Sequence, residues 1–315
     1  MIRNFIVIIA IALCISCGNS TPQGGSVQYG APEAPKKVGL VLGGGGAKGA
    51  ATIGALKVIE QSGVKIDYVA GTSIGAIIGA LYCAGYSADE MATLFESLQW
   101  QDLLQGNVME EKFRQLLAER GVVKFSDLHT PFRCVAVDVD SAVDVPLHDG
   151  DVYKAIRASM SIPPLYKAVE LNGNKYLDGG FLNNLPVDVV MDMGADVVIA
   201  IDLQQSKEDT LFQNLSTIIG RMKNADRIGG IIGNVLGREY EFAFNYLRSR
   251  PDTIKYVQNR RKADICINPM LQGFNATSFD GVKCQQMDSI GEAAAKPFAT
   301  KIKKLALSQT STNHN

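Results

Sequence analysis

The sequence predicts an α/β fold in which a central, mainly parallel sheet is covered on both faces by helices. Three observations carry that expectation. From Lys37 onward, short apolar runs alternate with stretches of helical periodicity. Two glycine-rich turns, Gly44 to Gly49 and Gly71 to Gly75, each sit between an apolar run and a helical pattern. A length of 315 residues with 46% hydrophobic content is enough for one large core.

The elements follow in order. Val38-Gly39-Leu40-Val41-Leu42 reads as a buried strand, and Ala50 to Gln61 as a helix with Ile53, Leu56, Val58 and Ile59 on its apolar side, stopped at Ser62-Gly63. Tyr68-Val69-Ala70 is the next strand. Ile74 to Ala84 is a helix rich in small residues (Gly75, Ala76, Gly79, Ala80), which lowers its intrinsic propensity but lets it pack closely, so it is expected to be central and buried. Ala88 to Trp100 and Met109 to Arg120 have amphipathic helical patterns; Phe132 to Asp138 and Ala142 to Leu147 read as strands joined near Asp140-Ser141. Val197 to Ile201 is a continuous apolar run of the kind found at the centre of a parallel sheet, and Leu211 to Leu247 is mostly helical with breaks at glycines.

Both ends differ from this body. Residues 1–16 read as a targeting leader, with Arg3 as its basic start, Phe5 to Leu13 as its apolar stretch and Ser16 before Cys17. The stretch is too short for an ordinary membrane-spanning helix. Leu13-Cys14-Ile15-Ser16-Cys17-Gly18 resembles a bacterial lipoprotein signal, which would make Cys17 the lipidated residue, with Cys14 departing from the usual leucine. That implies a lipoprotein of the bacterial cell envelope facing the periplasm; plain secretion is the alternative. Residues 17–37 have the Pro and Gly content of a flexible tether, and residues 307–315 read as a disordered polar tail. The remaining cysteines, Cys83, Cys134, Cys266 and Cys284, lack metal-like spacing and are expected in the core. A formal net charge of −1 gives no reason to expect nucleic acid as a partner.

The chemistry lies in the turns. Gly71-Thr72-Ser73-Ile74-Gly75 has the G-x-S-x-G form that lifts a serine onto a tight strand-to-helix bend, and Gly44-Gly45-Gly46-Ala47-Lys48-Gly49 supplies backbone N–H groups of the kind that stabilise an oxyanion. The second of these also fits a dinucleotide loop. However, Ala70-Gly71-Thr72-Ser73 stands where a dinucleotide fold wants an acidic residue, and the absence of Gly-Lys-Ser/Thr removes a P-loop. A nucleophilic serine needs a base, and His129, His148 and His314 all have the settings of solvated loop residues. Asp178, in Tyr176-Leu177-Asp178-Gly179-Gly180, is the better candidate: a desolvated carboxylate beside a serine can take its proton. Taken alone, Asp178-Gly179-Gly180 reads first as a turn whose side chain satisfies backbone donors, and only then as a catalytic carboxylate.

In this order, Gly44 to Gly49, Gly71 to Gly75 and Asp178-Gly179-Gly180 resemble the patatin-like phospholipase family, over about Lys37 to Leu305 and including the segment Ala155 to Pro163. The resemblance implies a three-layer α/β/α fold over residues 38–306, with Ser73 as nucleophile, Asp178 as base, the Gly44, Gly45 and Gly46 loop as oxyanion hole, and no metal or cofactor. It also implies a phospholipid or lysophospholipid substrate met at a membrane surface, cleaved through an acyl-serine. A general carboxylesterase, or an anchored scaffold that binds lipid or protein, are the alternatives. Lys48 is expected in an ion pair at the helix start, a lipid phosphate being the other reading. Pro164 and Tyr166-Lys167 depart from the family pattern and bear on the substrate entrance. Arg157 to Pro163 is read as wall, and Ile231-Ile232 and Phe242-Ala243-Phe244 as core before acyl groove.

Overall fold

The computed structural model describes residues 34–98, 108–163, 166–204, 225–249, 252–277 and 279–310. The strands are β1 (Val38–Leu42), β2 (Tyr68–Thr72), β3 (Phe132–Asp138), β4 (Val143–Leu147), β5 (Val169–Leu171), β6 (Asn174–Asp178), β7 (Val197–Ile201) and β8 (Ile265–Ile267). The helices are α1 (Gly49–Gln61), α2 (Ile74–Cys83), α3 (Ala88–Ser97), α4 (Val108–Glu119), α5 (Val152–Ser159), α6 (Val187–Asp192), α7 (Ala225–Leu236), α8 (Arg238–Ser249), α9 (Asp252–Lys262), α10 (Gly281–Ala295) and α11 (Ala299–Thr310).

The strands form one sheet in the order β5-β6-β3-β2-β1-β7-β8, with β4 also paired to β3. The run β3-β2-β1-β7-β8 is parallel throughout, while β4, β5 and β6 are antiparallel. The pleat sends alternate side chains of β1 to opposite faces. Val38, Leu40 and Leu42 join a large cluster with α1, α2, α3 and α10, whereas Val41 joins a second cluster with Val187, Val189 and Val190 of α6. The result is the expected three-layer α/β/α arrangement. Each fully buried Leu or Val contributes roughly 1.5–3 kcal/mol.

Helix α2 is buried along nearly its whole length, as its small residues predict. Strand β7 is fully buried too, although it lies next to the edge strand β8 instead of at the centre; β1 and β8 flank it. Cys83, Cys134 and Cys284 are buried free thiols, and Cys266 is half-buried.

Two boundaries differ from expectation. The tether was expected to reach residue 37, yet the Lys37 carbonyl accepts N–H bonds from Asp196 and Val197, and its own N–H donates to Asp196 Oδ2 at 2.8 Å. Lys37 is therefore already tied to the sheet. At the other end α11 runs to Thr310, through part of the expected disordered tail; the Gln309 side chain exchanges hydrogen bonds with the Lys65 N–H and C=O, both at 3.0 Å. An amide that satisfies both backbone groups of one residue anchors the last turn. The leader, most of the tether, Cys17, Pro164, residues 205–224 and His314 lie outside the described residues.

Candidate active site

The parallel sheet delivers a serine on a strained bend. Strand β2 ends at Thr72, α2 starts at Ile74, and Ser73 between them has φ 56° and ψ −123°. A non-glycine residue with positive φ costs of order 1–3 kcal/mol and persists only where its surroundings enforce it. Here the enforcement is close backbone approach. A Cβ at Gly75 would lie 2.1 Å from the Leu42 carbonyl oxygen, and one at Gly71 would lie 2.3 Å from that of Gly75. Ser73 itself is partly exposed.

Register brings Asp178 to the same place. Strand β4 pairs with β3 from Cys134 to Asp138, so the opposite edge of β3 is left to β2, which pairs up to Val135, and to β6, which takes over at Ala136. Thr72 pairs with Val135 and Asp178 with Ala136. The residue after Thr72 therefore meets Asp178 end-on, where the outgoing parallel strand gives way to the incoming antiparallel one.

The Asp178 carboxyl is 2% exposed, and its two oxygens are differently placed. Oδ1 accepts the Gly180 N–H at 2.7 Å, the backbone-satisfying turn that the local sequence suggested. Oδ2 is buried without a hydrogen-bond partner. Burial pushes the carboxyl up to about 7; the Ser73 hydroxyl and the Gly180 N–H pull it part of the way back. The hydroxyl thus lies within electrostatic reach of the carboxyl, while no closed hydrogen bond forms on Oδ2. Such loose contacts tighten when substrate binds.

The glycine loop after β1 needs one correction. The Gly43 N–H donates to Ile201 and the Gly44 N–H to the Asn184 carbonyl, at 3.0 and 3.1 Å, so Gly44 has no free donor for an oxyanion. Gly45 and Gly46 are half-buried, and their N–H groups have no protein acceptor among the described residues. A Cβ at Gly44 would stand 3.2 Å from the Ser73 Cβ, which fixes how near this loop lies to the serine. Lys48 also differs from expectation. It is 5% exposed and forms no ion pair among the described residues.

The segment read as wall holds both halves of the pair in place. Ser159, fully buried at the end of α5, accepts the Ser73 N–H on Oγ at 3.0 Å and donates to the Val135 carbonyl at 2.5 Å. The Ser161 carbonyl accepts the Asp178 N–H at 2.9 Å, and Arg157 donates to Ser161 Oγ at 2.8 Å while stacking on Tyr166 at 4.5 Å. Sequence reasoning singled out this segment without assigning it contacts, because a serine that bonds a backbone 86 residues away leaves no local signature.

Comparison with known proteins assigns a family to the part of the chain that holds this geometry. A sequence model described as patatin-like phospholipase matches residues 40–191, which span both glycine turns, the Ser159 segment and Asp178. Residues 40–191 are a patatin-like phospholipase domain. The patatin-like region is 34% identical over 196 residues to human patatin-like phospholipase domain-containing protein 6, covering 55% of this chain and 14% of that protein. The chain is 28% identical over 294 residues to lysophospholipase nte1 of Aspergillus fumigatus, covering 85% of this chain and 18% of the relative. The chain thus spans under a fifth of the length of either relative. Among solved structures, type III effector protein ExoU aligns with a TM-score of 0.47 and 14% identity over 86% of this chain and 54% of that one.

Other features of the patatin-like domain lie apart from the serine. The described histidines are remote from it: His148 contacts the Pro146 carbonyl, and His129 adjoins Gly85. A cavity of about 620 Å³, lined by Tyr68, Phe125, Phe132, Arg133 and His148, opens at the N-terminal ends of β2 and β3, whereas Ser73 follows the C-terminal end of β2. The cavity and Ser73 therefore lie at opposite ends of β2. Phe242 and Ala243 pack as core beside Phe181, but Ile231 is 54% exposed on α7, contrary to the core reading. Among the described residues no cluster of three or more His, Cys, Asp and Glu could hold a metal, and no helix is long and apolar enough to cross a membrane.

Proposed function

We propose that the protein is a lipid acyl hydrolase that cleaves carboxylic esters through an acyl-serine, with Ser73 as nucleophile and Asp178 as its base. The observation that carries this reading is the asymmetry of the Asp178 carboxyl, which has one oxygen fixed by Gly180 and the other buried and unpartnered, beside a serine on a positive-φ bend. In the reaction, Ser73 Oγ bonds to the ester carbonyl carbon as its proton passes to Asp178 Oδ2. The carbonyl oxygen takes the negative charge and is met by the Gly45 and Gly46 N–H groups. Collapse of the adduct breaks the ester bond, and Asp178 returns the proton to the departing alcohol. Water, giving a proton to Asp178, then bonds to the acyl carbon; the acyl–Oγ bond breaks, Asp178 returns the proton to Ser73 and the fatty acid leaves.

A phospholipid or lysophospholipid substrate is supported by the family and by the names of its relatives. The leader at residues 1–16 and the cysteine at 17 support a membrane-anchored position in a bacterial envelope, facing the periplasm. Fatty-acid release from phospholipid and lysophospholipid vesicles tests the substrate class. Release by native protein, lost in Ser73→Ala and Asp178→Asn, is expected; equal release by all three proteins would favour the anchored scaffold. Turnover of short soluble esters alone would favour a general carboxylesterase.

A further inference from the structure

We propose that Asn184 is the positioning residue of the oxyanion hole; this rests on the hydrolase reading above. Its backbone carbonyl accepts the Gly44 N–H at 3.1 Å, and its side-chain Nδ2 donates to the Gly44 carbonyl at 3.2 Å. Both polar groups of one glycine are thus held by one residue 140 positions away in sequence.

The peptide plane gives this clamp its consequence. In a trans peptide the carbonyl of Gly44 and the N–H of Gly45 point in opposite directions across a rigid plane. Gly45 has no side chain to restrict its backbone, so the loop would otherwise sample several orientations. Holding the Gly44 oxygen on Asn184 turns the Gly45 N–H the other way, as a fixed donor on the half-buried side of the loop. Preorganised donors of this kind stabilise a developing oxyanion without reorganising during reaction.

The surroundings of Asn184 are built around the same purpose. Its Oδ1 occupies the space that a Cβ at Gly44 or Gly180 would need, at 2.3 and 2.8 Å, so the amide sits between the oxyanion loop and the Asp178 turn. Its neighbours are anchored in turn. Thr72 Oγ1 donates to the Asn183 carbonyl at 2.9 Å, and buried Asn259 donates to the Leu185 carbonyl at 3.0 Å. The residue before the nucleophile therefore bonds the same short segment that carries the clamp.

The test compares native protein with Asn184→Asp and Asn184→Ala, using p-nitrophenyl butyrate as probe, with kcat, KM, pH midpoint and Tm all measured. Asp keeps the size but replaces the donor with a group that repels the Gly44 carbonyl; Ala removes it. The expected result is a fall in kcat of about a hundredfold or more in both, with KM within about twofold; the pH midpoint is unchanged in Asn184→Ala and raised in Asn184→Asp, whose new carboxylate lies beside Asp178. A fall in kcat below about threefold, a loss confined to KM, or a moved pH midpoint in Asn184→Ala would overturn the proposal; the last would mean that Asn184 acts on Asp178. If neither variant folds, Asn184 belongs to the fold and the proposal falls. Failure of the underlying hydrolase reading is distinct: native protein would not turn over the probe, or Ser73→Ala would equal it.

Discussion

The Ser73 backbone N–H donates to the Ser159 side chain at 3.0 Å, so the amide of the candidate nucleophile is held by a hydroxyl whose own proton goes to Val135 on the central sheet. Ser159→Ala leaves a buried N–H and a buried carbonyl unpaired, at a cost of about 1–3 kcal/mol each. The expected outcome is a Tm lowered by several degrees and a kcat reduced about tenfold or more, since a small displacement of a nucleophile is costly. Ester kinetics on the folded variant, alongside its melting curve, check both.

Asp178 must be ionised to accept a proton, and burial pushes it up to about 7. In the free enzyme kcat/KM should therefore be low in acid, rise through a midpoint near that value and level off above it. A profile already flat by pH 5 would mean that the base is a carboxyl of ordinary acidity, elsewhere.

The same carboxyl makes stability depend on pH. Unfolded, an aspartate titrates near 3.9, so the native state holds this proton more tightly than the unfolded chain. Its contribution is fully present below about 3.9 and is lost as pH rises through about 7, where the buried group ionises. Asp178→Asn removes that ionisation. The variant is expected to melt several degrees above native protein at pH 8, with the gap closing towards pH 4.

Gly75→Ala places a Cβ 2.1 Å from the Leu42 carbonyl oxygen, where only backbone movement makes room. Because β1 and α2 are both core elements, the variant is expected to accumulate as insoluble protein or to lose its cooperative melting transition.

Much of this site was legible in the sequence because each of its turns carries its own local chemistry. Gly71-Thr72-Ser73-Ile74-Gly75 specifies a bend with a protruding serine wherever a strand precedes it and a helix follows, and Asp178-Gly179-Gly180 specifies a turn. Strands β1, β2, β3 and β7 were readable as apolar runs, whereas β8, with only Ile265, Cys266 and Ile267, is too short to stand out. What sequence could not supply was pairing across distance. Nothing local says that Ser159 reaches the Ser73 amide, that Asn184 takes up the Gly44 N–H, or that Gln309 anchors the last helix on Lys65. Lys48 shows the opposite failure: a helix-start lysine suggests an ion pair by rule, and here the side chain is buried without one among the described residues.

The central claim, that Asp178 activates Ser73, is met most directly by a fluorophosphonate probe and peptide mapping. Native protein is expected to carry a single adduct on the peptide containing Ser73, with none on Ser73→Ala and labelling slowed at least about a hundredfold in Asp178→Asn. Labelling at another residue, or at an undiminished rate in Asp178→Asn, would contradict it.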